Sequence, residues 1–263
     1  MSFSQRSAVL AFLIACSHAS LFGFRNLDDG VTLAYFLPDH ITRHEPVILD
    51  TLIENQSGQP VAVDLGWHWL EHFRWTLKKP NGETVDGRDP HAQDPDSISP
   101  LGVVSIAPAA QHAQWMVLNE VFDFDAVGQY ELTIQFDGAI RAPAGVDVHP
   151  KRVQTFHVTV QPRDEGALRS TCANLAAMAT QSLNADRYYR AATALAWTVD
   201  PVAVPFLRDV ALRNRAPDVV VEGLGRIDNE EAGRVLEALA VIPALPDVSE
   251  AARRELLNLA RRR

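Results

Sequence analysis

The chain is poor in cysteine. Its 263 residues hold two, Cys16 and Cys172, too few for a disulfide framework. It also lacks a cationic surplus. Twenty-four Lys and Arg against 33 Asp and Glu give a formal charge of −9, which argues against a nucleic-acid partner, since phosphate binding needs clustered positive charge. No apolar run approaches the roughly 20 residues of a membrane-spanning helix. No G-x-S-x-G, P-loop, G-x-G-x-x-G or paired-cysteine metal motif occurs, so the sequence carries none of the usual signatures of nucleophile-elbow, phosphate, dinucleotide or cysteine-ligated metal sites. Lysine and histidine are both missing after residue 163, and all nine histidines precede residue 158. Any imidazole chemistry must therefore sit in the first part of the chain.

What remains is the composition of a folded protein, 47% apolar and 22% charged. Residues 1–163 carry 11 basic and 19 acidic residues. Residues 164–263 carry 13 Arg and 14 acidic residues. That shift marks a domain boundary near residue 163. At the start, a short polar segment with one charge precedes the small and apolar run Ser7–Ala15, which suits the h-region of a secretory signal. Ser17-His18-Ala19 offers a cleavage site, giving a leader over residues 1–19. Alternatively, Leu13-Ile14-Ala15-Cys16 resembles the lipobox of bacterial lipoproteins, with Cys16 as the lipid anchor. A first buried element of the fold is the bland reading. The expected location is exported, either periplasmic or membrane-anchored. Cys172 lies in an Ala-rich helical stretch and reads as a small buried hydrophobe.

Residues 20–163 read as strands. Tyr130, Leu132, Ile134 and Phe136 alternate with polar residues, as do Phe156, Val158 and Val160, and Phe73, Trp75 and Leu77. A period of two with one apolar face predicts antiparallel sheets packed on a core. Turn residues at Ser57-Gly58 and Pro80-Asn81-Gly82 separate the segments. About seven short strands at this spacing suggest a two-sheet sandwich. The pieces Glu45–Val61, Leu77–Gly82 and Gly128–Ile134 resemble immunoglobulin-like domains of bacterial exported proteins, which implies an architecture and no activity. Asp86–Pro100 and Gly138–Pro150 read as long loops. The acids Asp86, Asp89, Asp94 and Asp96 lack the spacing of a calcium loop, so a solvated loop is expected.

After Asp164 the apolar period becomes three to four. Ala192, Leu195, Ala196 and Val199 fit one helical face. Asp200-Pro201 and Asn229-Glu230-Glu231 read as helix starts. Leu195–Leu207 lies over Leu224–Leu236 at an offset of 29, with the leucines, the Asp/Asn cap and an alanine coinciding. The run Arg190–Leu207 resembles the short HEAT-like repeat of the phycobilisome-lyase type. That resemblance implies all-α helical hairpins over 164–263 whose stacked surface binds a protein or peptide.

The string His68-Trp69-Leu70-Glu71-His72 matches H-x-x-E-H, a zinc-hydrolase pattern when helical. The surrounding alternation instead places it at a strand end, where four residues span about 13 Å, too far for a shared ion. His40 and His44, between Pro38 and Pro46, read as loop residues. Trp67, Trp69 and Trp75 share odd parity and point to the core rather than to a sugar-binding face. Asn55-Gln56-Ser57 matches a glycosylation acceptor. The expected molecule is a multidomain β plus α protein, an exported, non-enzymatic binder or scaffold of an unidentified protein or peptide. No catalytic, cofactor or metal residue is assigned. A metal-dependent hydrolase using His68, Glu71 and His72 is the alternative.

Overall fold

The computed structural model describes residues 25–27, 30–65, 72–87, 103–138, 140–141, 147–148 and 152–262. The chain divides into two compact units. The first comprises residues up to 41, 48–116 and 121–160. The second comprises 42–47, 117–120 and 161–263. The composition shift at residue 163 gave no hint that the two short early segments join the helices.

The first unit is built from β1 (Arg25–Leu27), β2 (Val31–Phe36), β3 (His40–Thr42), β4 (Ile48–Asn55), β5 (Val61–Asp64), β6 (Phe73–Lys78), β7 (Thr84–Asp86), β8 (Val103–Ile106), β9 (Gln111–Val117), β10 (Gly128–Phe136), β11 (Ile140–Arg141), β12 (Asp147–Val148) and β13 (Arg152–Gln161). They form three sheets, ordered β1-β2-β4-β9, β3-β13-β10-β6-β7 and β12-β11-β5-β8. A two-sheet sandwich was expected. The third sheet arises because the segment read as one loop from Gly138 contains β11, which pairs with both β5 and β12. His40 likewise opens a strand, and Asp86 closes one.

Alternation governs the core. In β10, Tyr130, Leu132, Ile134 and Phe136 are all buried. Leu132 sits opposite Leu77 of β6 and Phe156 of β13, so three apolar side chains lie abreast on one face. Tyr35 of β2 meets Phe156 edge-on at 6.0 Å between centroids, joining two sheets through an aromatic rung. The Tyr130 hydroxyl accepts the Ala126 N–H at 3.0 Å, pinning the approach to β10. Gly128 begins that strand at φ +138°, where a Cβ would lie 2.8 Å from the Pro80 ring.

Asn55 ends β4 fully buried. Its Nδ2 donates to the Gln59 and Ile106 carbonyls at 2.8 and 2.9 Å, and its Oδ1 accepts from Ser57 N and Oγ. An amide so enclosed is no glycosylation acceptor in the folded chain.

The second unit holds α1 (Glu165–Gln181), α2 (Ala185–Ala196), α3 (Val204–Leu212), α4 (Pro217–Ile227), α5 (Glu230–Leu239) and α6 (Pro246–Arg262), with a 3-10 turn at Pro201–Ala203. Side chains cap the starts. Asp164, Asn184 and Asn229 each accept a backbone N–H three residues on, and Asp200 accepts that of Val202, satisfying donors a helix leaves open. The face assigned to α2 is cut short. The helix stops at Ala196 and Val199 is exposed, because Asp200 must be extended to cap the next turn.

Candidate interaction surface of the helical unit

Consecutive helices form three hairpins, α1/α2, α3/α4 and α5/α6, which stack in order. The offset of 29 holds in three dimensions. Leu195 and Leu224, Ala203 and Ala232, and Leu207 and Leu236 are all buried, and the paired caps Asp200 and Asn229 do the same work. It also reaches back into α2, where Ala191 and Ala192 match the buried Val220 and Val221 of α4. Trp197 and its counterpart Arg226 touch across the stack, the guanidinium lying 4.1 Å above the indole. Burial lowers the Arg226 pKa.

The even helices are drawn together. A Cβ on Gly223 would lie 2.7 Å from Ala196 Cα, so α4 and α2 meet backbone to backbone. On the opposite side, a Cβ on Gly225 would collide with the buried Glu255 carboxylate of α6, which Asn258 and Arg262 also approach, at 3.2 and 3.7 Å. The odd helices α3 and α5 contact each other far less. Close approach in one layer and separation in the other leave an open cleft of about 520 Å³. Leu212, Val235, Leu239 and Ile242 floor it, and Arg208, Arg234 and Glu231 rim it.

A second cluster centres on Asp200, 1% exposed. Arg163 donates Nε and Nη2 to its two oxygens at 2.6 and 3.0 Å, His44 Nδ1 lies 3.0 Å from Oδ2, and Val202 N donates to Oδ1 at 3.0 Å. Burial alone would raise the Asp200 pKa, but the bonds from Arg163, Val202 and His44 outweigh it and hold the group at about 2. With every oxygen engaged, the carboxylate fastens the 42–47 segment and Arg163 to the helices. A buried Asp on His Nδ1 also belongs to hydrolytic triads, but here the Arg163 fork already neutralises the carboxylate. Sequence reading recognised Asp200 as a cap and gave His44 no role. His44 sits in a turn at φ +72°, which its sequence does not announce.

Of the other residues singled out in the sequence, His68, Glu71, Trp67, Trp69, the Asp89–Asp96 acids and residues 1–19 lie outside the described residues. His72 precedes β6, its Nε2 3.4 Å from Asp64 Oδ1. Trp75 is buried in the core. Cys172 is fully buried, and burial pushes its thiol up to about 12, so it stays protonated and unreactive. Among the described residues no group of three or more His, Cys, Asp or Glu could hold a metal ion, and no helix is long and apolar enough to cross a membrane.

No family model and no curated protein matches the chain. Among solved structures it is similar to a CARDB domain from Pyrococcus furiosus, in complex with di-metal ions, at 15% identity and a TM-score of 0.27, over 54% of this chain and 93% of that one. It is also similar to a mutant beta-glucosidase from Listeria innocua in complex with laminaribiose, at 12% identity and 0.29, over 53% and 17%. The alkylpurine DNA glycosylase AlkC of Pseudomonas fluorescens, bound to DNA, follows at 12% and 0.23, over 52% and 32%. Scores this low transfer neither fold, ligand nor reaction to this chain.

Proposed function

We propose that the chain is an exported, non-enzymatic binding or scaffold protein. Its β unit is an immunoglobulin-like sandwich and its helical unit a short HEAT-like array that holds a protein or peptide. The observation that carries this reading is the 29-residue register of the hairpins, in which caps and core residues recur while an open cleft remains between α3 and α5. The tyrosine tied to the chain just before its own strand supports the immunoglobulin-like assignment. The Ser7–Ala15 run supports export, with cleavage after Ala19 or lipidation of Cys16.

Affinity capture from the cell envelope, with the full chain as bait, should recover a specific partner at near-stoichiometric yield. Background alone would overturn the binding role. Mass spectrometry of the mature N-terminus in the envelope fraction tests export. An intact Met1 in the cytosol would overturn it.

A further inference from the structure

Three of the six large apolar residues that are exposed among the described residues of the helical unit fall on one register. Leu183, Leu212 and Val241 are 95%, 45% and 73% exposed, and they stand 29 residues apart, the offset that superimposes the buried leucines and caps. Each lies where an odd helix turns over into the next even helix. Leu183 and Val241 fall in the connectors, and Leu212 is the last residue of α3. In a stack of hairpins, equivalent positions are neighbours, as the Trp197–Arg226 contact demonstrates. Leu212 and Ile242, from the second and third turns, already line one cleft. The repeat register therefore places the three residues as an apolar ladder along one edge, and the α3/α5 cleft reaches that edge at Leu212.

The charge on the rim selects among ligands. Arg234 makes no ion pair among the described residues, although Glu230 precedes it by four on the same helix. Among the described residues Arg208 pairs only with its sequence neighbour Asp209, at 3.5 Å. Two guanidinium groups thus stand over an apolar floor against the single acid Glu231. The cleft is open rather than enclosed, which suits an extended chain better than a small molecule.

We propose that this edge docks an acidic, aliphatic-rich peptide segment of a partner protein. Aliphatic side chains seat on the ladder and the cleft floor, and a carboxylate bridges Arg208 and Arg234. A peptide in the polyproline-II form has three residues per turn and advances about 3.1 Å per residue, so every third side chain falls on one face, about 9 Å from the last, and can meet rungs set one hairpin apart.

This inference rests on the partner-binding reading above, and its test separates the two. A display library of random twelve-residue peptides is panned on the full chain, and the enriched peptides are titrated by fluorescence anisotropy. Enrichment of Asp or Glu among aliphatic residues at three-residue spacing is expected. Leu212→Asp and Arg234→Glu should each weaken binding at least tenfold, while Leu257→Asp, at a 60% exposed site on α6, should leave it unchanged. Circular dichroism checks that each variant is folded. Peptides that bind both cleft variants as tightly as the parent overturn this site and leave a binding role elsewhere on the chain intact. Enrichment without acids, or none at all, overturns the proposal, with the capture experiment deciding the broader reading separately. Self-association abolished by Leu212→Asp would overturn it in favour of a second copy as occupant.

Discussion

Asp200 shows how one side chain can organise a region. Its pKa of about 2 lies below the ordinary 3.8, so the folded state binds its proton less readily than the unfolded chain does. The stabilisation is complete above the usual carboxylate range and is lost as pH falls towards 2, about 2 kcal/mol in all. Urea midpoints measured from pH 6 to pH 2.5 should fall more steeply in the parent than in Asp200→Asn. The substitution should itself cost about 2 kcal/mol at neutral pH. Parallel curves would refute this account. Asn55 offers a companion case without charge. Asn55→Ala strips partners from two carbonyls and from Ser57, and should cost about 3 kcal/mol in chemical denaturation. The Asp200 network was not legible in the sequence, because Arg163 and His44 come from distant positions, and the burial that encloses Asn55 depends on Ile106, 51 residues away. The cap role of Asp200 was legible, since a cap and its helix are neighbours in sequence.

At the level of elements, three of the helical glycines have three different surroundings. Gly223 lets α4 touch the α2 backbone. Gly223→Ala must push the helices apart and should destabilise by about 1–3 kcal/mol. Gly233 lies inside α5 with nothing within 4 Å of its would-be Cβ. Gly233→Ala should therefore raise stability by about 0.5–1 kcal/mol, read as a higher melting temperature. A destabilised Gly233→Ala would show that α5 is packed differently. Gly225 makes room for Glu255, which is why the second repeat carries a glycine where the first has Ala196, 29 residues earlier. Local periodicity identified the long strands and the helices because each signal lies within one segment. The third sheet escaped notice because two- and four-residue strands are too short to display a period.

For the molecule as a whole, the helical unit is more than the C-terminal hundred residues. Segment 42–47 supplies His44 to Asp200, Glu45 to the Thr171 hydroxyl at 2.6 Å, and Thr42 Oγ1 as acceptor for Asp164 N at 2.7 Å. A fragment comprising residues 161–263 should consequently retain helical signal yet melt at a lower temperature, and less cooperatively, than the same helices in the full chain. Faster amide exchange around 164–172 and 200–204 would mark the lost contacts. A fragment as stable as its parent would make those contacts incidental. The chain passes between its units after residues 41, 47, 116, 120 and 160. No single splice can then transplant the helices onto another protein. A lineage that borrowed them would have had to inherit segments 42–47 and 117–120, and the strands threaded between them, along with the helices, so the whole is expected to have travelled through evolution as one indivisible cassette.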